Sequence, residues 1–221
     1  MRSLWVAFFS LLIFCQSVAA NEARVVQELV KGKLDAVVSV LQQKDLDPRV
    51  QKEQIIEIVM SIFDFNLMAK LTLGKKYWPA LTVEEQARFT KLFVERLKAT
   101  YMDQTDFYHD ETVVYESPAQ KGRKIRVPTH VISGSDKIAI LYKLYQSGGQ
   151  WRIYDVEVEG VSVILTYRSQ FDDILKDGTI TDLMNRLEEQ LKTDSHPATD
   201  STQQHERTPI LRDEILRKNH T

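Results

Sequence analysis

Cysteine is nearly missing from this chain, with Cys15 the only one among 221 residues. A lone thiol forms no intrachain disulfide and no thiolate metal cluster. Glycine and proline are also sparse, at 8 and 6 residues. The glycines spell neither G-x-G-x-x-G nor a Walker pattern, so no phosphate-cradling loop is present and nucleotide-driven chemistry has no support. Excess charge of either sign is lacking, since 29 basic residues face 31 acidic ones. Such a chain has no general attraction for phosphate backbones, which excludes nucleic acid as a partner. Long apolar runs are missing too. The first, Leu4 to Phe14, is shorter than the roughly 20 residues a membrane-spanning helix needs, and no later stretch is longer.

That first run has its own meaning. Arg2 precedes it, and Val18-Ala19-Ala20 places small residues behind it, which is the layout of a secretory signal peptide over residues 1–20 cleaved after Ala20. Cys15 is not a lipid-attachment site, because Phe14 stands where such signals need a small side chain. Cleavage would remove Cys15 and Arg2, leaving an exported, thiol-free chain with 28 basic and 31 acidic residues. About 200 residues remain, enough for one domain with a substantial core.

Helical periodicity opens the mature chain. Val25, Val26, Leu29, Val30, Leu34, Val37, Val38 and Leu41 recur on one stripe between Ala23 and Gln43. Pro48 suits the first turn of a second helix carrying Ile55, Ile56, Val59, Met60, Ile62 and Phe63. Asp64 reads as the N-cap of a third, which stops at Gly74. Thr82 and Glu85 form a capping box ahead of a long helix whose stripe, Phe89, Leu92, Phe93, Leu97 and Tyr101, is rich in aromatics.

The period then changes to that of strands. Thr112–Glu116, Lys124–Ser133, Lys137–Gln146 and Trp151–Glu159 are β-branched and aromatic, with Gly134-Ser135-Asp136 and Ser147-Gly148-Gly149 as short turns. Short connections imply an antiparallel meander of about four strands. The segment Ile138–Tyr142 is apolar on both parities, which predicts cover on both faces. Beyond Gly160 the helical period returns with Ile164, Tyr167, Phe171 and Ile174, followed by a last helix from about Thr181 to Leu191. The fold class is α+β: a twisted antiparallel sheet packed with N-terminal and C-terminal helices, in one domain over residues 21–192. Residues 193–221 are polar, with too little apolar surface to offset ordering, and are expected to be a disordered tail.

Reactive constellations are hard to find. Gly160-Val161-Ser162 is half a nucleophile elbow, but Ile164 occupies the place of the second glycine, so Ser162 reads as a helix cap. His196, His205 and His220 lie in the tail, leaving His109 and His130, too few for a zinc site. His109-Asp110-Glu111 reads as a solvated helix end, and Asp155, Glu157 and Glu159 as a solvated strand face. No catalytic residue, metal site or cofactor is expected. An exported domain of this kind suits an apolar ligand or a protein-docking role, and composition does not separate the two.

One stretch does. Gly149-Gln150-Trp151-Arg152-Ile153-Tyr154-Asp155-Val156-Glu157-Val158-Glu159-Gly160-Val161-Ser162-Val163-Ile164, followed by Tyr167-Arg168-Ser169-Gln170-Phe171, resembles the MlaC family of periplasmic phospholipid-binding proteins, also called toluene-tolerance or ABC-transporter auxiliary proteins. Phe63-Asp64-Phe65, Leu73-Gly74, Trp78, Thr82-Glu85-Gln86, Phe89, Phe93 and Tyr101 are similar to that family too. The likeness runs from about residue 23 to 192. Thr166 departs from it, where many members carry Asn, and so does the long polar tail.

The resemblance implies a non-enzymatic carrier with phospholipid as cargo. Its expected partners are an inner-membrane ABC transporter complex, with its substrate-binding-like membrane-anchored subunit, and an outer-membrane lipoprotein-porin complex. Its expected role is keeping the outer leaflet free of phospholipid. The family's fold encloses acyl tails between sheet and helices, and burial is needed. At about 0.8 kcal/mol per methylene, one chain of about sixteen carbons carries about 12 kcal/mol of hydrophobic cost in water. By parity the candidates for the pocket wall are Val127, Val131, Ile140, Tyr142, Trp151 and Ile153 from the sheet, with Phe93, Leu97, Tyr101, Val163 and Tyr167 from helices. The rival readings are a ligand-free periplasmic adaptor and, more remotely, a small hydrolase using Ser162.

Overall fold

The computed structural model describes residues 2–101 and 112–195. Helix α1 spans Arg2–Leu41, α2 Pro48–Ile62 and α3 Phe65–Tyr77; a short 3-10 turn over Trp78–Ala80 leads to α4, Val83–Tyr101. Six strands follow: β1 Thr112–Tyr115, β2 Ala119–Lys121, β3 Lys124–Ser133, β4 Asp136–Ser147, β5 Gln150–Val158 and β6 Val161–Ser162. Two helices close the chain, α5 Val163–Asp177 and α6 Ile180–Ser195. The class is the expected α+β. The segment read as a signal peptide is continuous with α1, and among the described residues no helix is long and apolar enough to cross a membrane. The last helix runs past residue 192, and the rest of the polar tail, its three histidines and His109-Asp110-Glu111 lie outside the described residues.

Local chemistry accounts for the helix boundaries. Asp64 Oδ1 accepts from Leu67 N at 2.9 Å, as an N-cap should. Thr82 and Glu85 satisfy each other, with Thr82 N donating to Glu85 Oε2 at 2.8 Å and Glu85 N to Thr82 Oγ1 at 3.2 Å. Gly74 does interrupt α3, at φ 65° and ψ −169°, after which the chain resumes one more helical turn. Thr179 and Asp182 cap α6 in the same reciprocal manner.

The sheet is antiparallel in the order β1-β3-β4-β5-β6, with β2 also paired to β3. It therefore has six strands where the sequence suggests about four. The two extra strands, of three and two residues, are too short to show a period of their own. Both expected turns are present, since Ser133 pairs with Asp136 and Ser147 with Gln150. Gly148 and Gly149 supply positive φ values of 56° and 78°, the requirement of a two-residue hairpin turn. A bulge at Tyr154 shifts register between Lys143↔Asp155 and Leu144↔Ile153.

Apolar side chains collect in two clusters. The first is helical: Met68, Leu73, Phe89, Phe93, Leu97, Val163, Tyr167, Phe171, Leu183 and Leu187 from α3 to α6 are all buried. The second joins α1 and the end of α2 to the sheet, through Ala23, Val26, Val30 and Ile62 against Ile125, Val127, Leu144 and Ile153. Phe63 and Val156 are half-buried and pack on both clusters. Strand β4 is only half-buried across Ile138–Lys143 and fully buried at Leu144 alone, so the cover expected on both faces of Ile138–Tyr142 is partial.

Candidate functional site

Strand register divides the sheet into two unlike faces, because directly opposed residues share a side. Val127 opposes Tyr142, Thr129 opposes Ile140 and Val131 opposes Ile138. Across the next pairing Ile140 meets Val158, Tyr142 meets Val156 and Leu144 meets Ile153. On the outer strand Val113 and Tyr115 meet Val131 and Thr129. This face is thus almost wholly apolar, with hydroxyls at Tyr115, Thr129 and Tyr142. Helix α1 lies along β3 and β2, while α2 returns to β5. Their hairpin is tied at its far end, where Gln51 Nε2 donates to Val40 O at 3.1 Å.

The hairpin seals onto the sheet at one end only, in the second cluster. Toward the other end the sheet presents Val131, Ile138, Ile140 and Val158, all half-buried. The hairpin presents Val37, Val38, Ile58 and Val59, also half-buried, and packs extensively on no part of β4. Both sets of apolar side chains are thus less completely covered than those around Leu144. Tyr142 belongs to this region, and burial, with the Tyr115 ring beside it, pushes its phenol above the ordinary value. Burial, together with the Asp35 and Glu28 carboxylates, pushes Tyr115 up to about 12.

The opposite face is mixed, with Val114, Pro128, Ile132 and Leu141 beside a polar cluster that is structural. Asp155 is buried, accepting from Ser162 Oγ at 2.8 Å, from Ile164 N at 3.2 Å and from Lys143 Nζ at 2.9 Å; Lys143 also pairs with Glu157. Burial pulls the Lys143 ammonium down, but its bonds to Glu157 and Asp155 outweigh that and hold it above the ordinary lysine value. The solvated strand face expected for Asp155, Glu157 and Glu159 is therefore corrected: Asp155 anchors the start of α5, and Glu159 accepts from Ala139 N. Ser162 is the expected cap, accepting from Leu165 N at 3.2 Å, and is itself buried with a carboxylate where a nucleophile needs a base. His130 pairs with Glu116 at 3.1 Å, on a different strand pair from Ser162.

The eleven residues named for a pocket do not form one wall. Phe93, Leu97, Val163 and Tyr167 lie inside the helical cluster, with Tyr101 packed at its margin. Phe93 and Tyr167 meet edge-on at 5.4 Å between centroids, and the Tyr167 hydroxyl bonds Thr100 Oγ1 at 3.3 Å. Val127 and Ile153 sit in the second cluster with Tyr142 and Trp151 against it, and Val131 and Ile140 occupy the half-buried end of the same face. Sequence reasoning passed over Tyr115, Ile138, Val156 and Val158. Parity with Ile140 and Tyr142 could have found Ile138, but Val156 and Val158 have the opposite parity to Trp151 and Ile153 and reach their face only through the bulge at Tyr154. Tyr115 is placed there by pairing with Thr129. A cavity of about 530 Å³ between α5 and α6 is lined by Asp173, Ile174, Asp177, Gly178, Asp182, Asn185, Arg186 and Glu189, includes none of the eleven, and is too acidic to shelter acyl chains. Among the described residues no group of His, Cys, Asp and Glu is placed to hold a metal.

The model of the family described as MlaC protein matches residues 31–189. The toluene tolerance protein ttg2D of Pseudomonas putida is 23% identical over 137 residues, covering 61% of this chain and 64% of that protein, so the match spans just under two thirds of the relative's length. A solved structure described as a phospholipid-binding protein from Ralstonia solanacearum in complex with a phospholipid superposes with a TM-score of 0.70 at 24% identity. The superposition covers 77% of this chain and 98% of that one, which establishes a shared fold.

Proposed function

This chain belongs to the MlaC family, and from that premise we propose that it is a periplasmic carrier of phospholipid and not an enzyme. It moves lipid between an inner-membrane ABC transporter complex and an outer-membrane lipoprotein-porin complex, and so maintains outer-membrane lipid asymmetry. The signal peptide at residues 1–20 delivers it to that compartment.

The observation that carries the reading is that one end of the apolar sheet face, Val131, Ile138, Ile140 and Val158, is only half-buried outside the cluster that seals it to the α1–α2 hairpin. The interval between that end and the hairpin is where we place the acyl chains. Opposed apolar surfaces in water close together unless something else fills the space, because each exposed Å² costs about 25 cal/mol. Acyl chains fill it without demanding any polar partner. The sheet wall is then Val131, Ile140 and Tyr142, joined by Ile138, Val156 and Val158, with Val127, Trp151 and Ile153 at the sealed end. Phe93, Leu97, Val163 and Tyr167 serve as the rigid core on which that wall is mounted, with Tyr101 at its margin. The name of the relative in Ralstonia and the lipid it holds fit this reading.

The test is native mass spectrometry of the purified mature protein. Phospholipid should co-purify in stoichiometric amount; a folded preparation that is consistently lipid-free would instead identify a protein adaptor.

A further inference from the structure

Among the described residues, two buried side-chain polar atoms lack a hydrogen-bond partner, the Tyr115 hydroxyl and the Gln120 carbonyl oxygen. Gln120 is otherwise anchored, since its amide nitrogen donates to Glu22 Oε2 at 2.8 Å. Tyr115 has no such anchor. Lys31 Nζ stands 5.7 Å from the centre of its ring and so engages the π face, leaving the hydroxyl unserved. A buried hydroxyl without a partner is costly, and folded proteins retain few of them.

Its position suggests what completes it. Tyr115 opposes Thr129 on the apolar sheet face, Thr129 opposes Ile140, and Lys31 of α1 covers the Tyr115 ring, so the hydroxyl is buried on that face beside α1, next to the interval assigned above to acyl chains. Thr129 does not serve it: its hydroxyl donates to Ile140 O at 3.1 Å and makes no bond to Tyr115. We propose that the Tyr115 hydroxyl donates a hydrogen bond to the cargo, to an ester carbonyl oxygen of a diacyl glycerolipid where its acyl chains enter the interval. The inference rests on the carrier reading above and deepens it by naming the linkage that the site recognises.

Two observations select a neutral carbonyl. The phenol is a neutral donor at physiological pH, as any tyrosine is, and burial only raises it further, so the unpartnered hydroxyl needs an acceptor. The residues around it on the sheet face, Val113, Val131 and Ile140, are apolar, which disfavours a buried phosphate anion there. An ester carbonyl brings an acceptor without a charge.

Competition binding tests this with two probes, dipalmitoyl phosphatidylglycerol and its dihexadecyl ether counterpart, which keeps headgroup and chains but has no carbonyls. Wild type should prefer the ester lipid by on the order of fivefold to tenfold. Tyr115→Phe should abolish that preference by weakening the ester lipid alone, and the emptied variant should melt no lower than wild type. Equal binding of the two lipids by wild type, or a preference that survives Tyr115→Phe, would overturn the inference while leaving the carrier reading intact. Failure of wild type to bind either lipid would overturn both.

Discussion

Asp155 shows how much one side chain can decide. It is buried, yet it holds a serine hydroxyl, a backbone N–H and a lysine ammonium, so its charge is compensated on every side. That arrangement locks the start of α5 to β5 and explains why Ser162 is more than an ordinary cap. Ser162→Ala removes both the bond to Leu165 N and the donor to Asp155, so the expected loss is about 2 kcal/mol, at the upper end for a cap alone. Thermal melting should register that loss while lipid content stays at the wild-type level. Unchanged melting with lost function would restore Ser162 as a nucleophile.

The elements show where sequence reading succeeds and where it stops. Long periodic segments with chemical punctuation were legible: Asp64, Thr82 with Glu85, and Ser162 each cap the helix they precede. Strands β2 and β6 were not, because three and two residues carry no period and are defined only by what they pair with. Asp155, Glu157 and Glu159 share the alternation of a solvated strand, and only the tertiary neighbour α5 makes the first of them buried. The same limit applies to the pocket candidates. Parity identifies which strand residues share a face only as far as a bulge such as that at Tyr154, and it does not tell whether Phe93 and Tyr167 face that sheet or each other.

Gly74 supplies the element-scale prediction. Its φ of 65° and ψ of −169° belong to a region open essentially to glycine alone, and a Cβ there would meet Arg168 Nη2 at 2.9 Å. The guanidinium is the end of a long, half-exposed side chain and can move aside, so the backbone sets the cost. Gly74→Ala should lower stability by about 1–3 kcal/mol, and adding Arg168→Ala should not restore it. Denaturant melts of the single and double variants decide this; full recovery in the double variant would make the clash the cause instead.

At the scale of the whole molecule, the division into two apolar regions makes opposite demands on a buried charge. Val163 and Tyr167 are 8% and 6% exposed among Phe93, Phe171 and Leu97, so a carboxylate introduced there is cut off from water, and only at Tyr167 do the Arg96 charge and the Thr100 hydroxyl offer it any compensation. Its cost of several kcal/mol is a large share of a typical domain stability of about 5–15 kcal/mol. Val163→Glu and Tyr167→Glu should therefore purify poorly or melt far below wild type. Val131 and Ile140 stand on a sheet face that the hairpin leaves half open. A carboxylate there can be reached by water once lipid departs, so the fold persists and the cost falls on the cargo. Val131→Glu and Ile140→Glu should keep wild-type circular dichroism and lose most of the co-purified phospholipid. If the helical variants stay folded and empty while the sheet variants stay loaded, the lipid lies among α4 and α5 and the roles of the two regions are reversed.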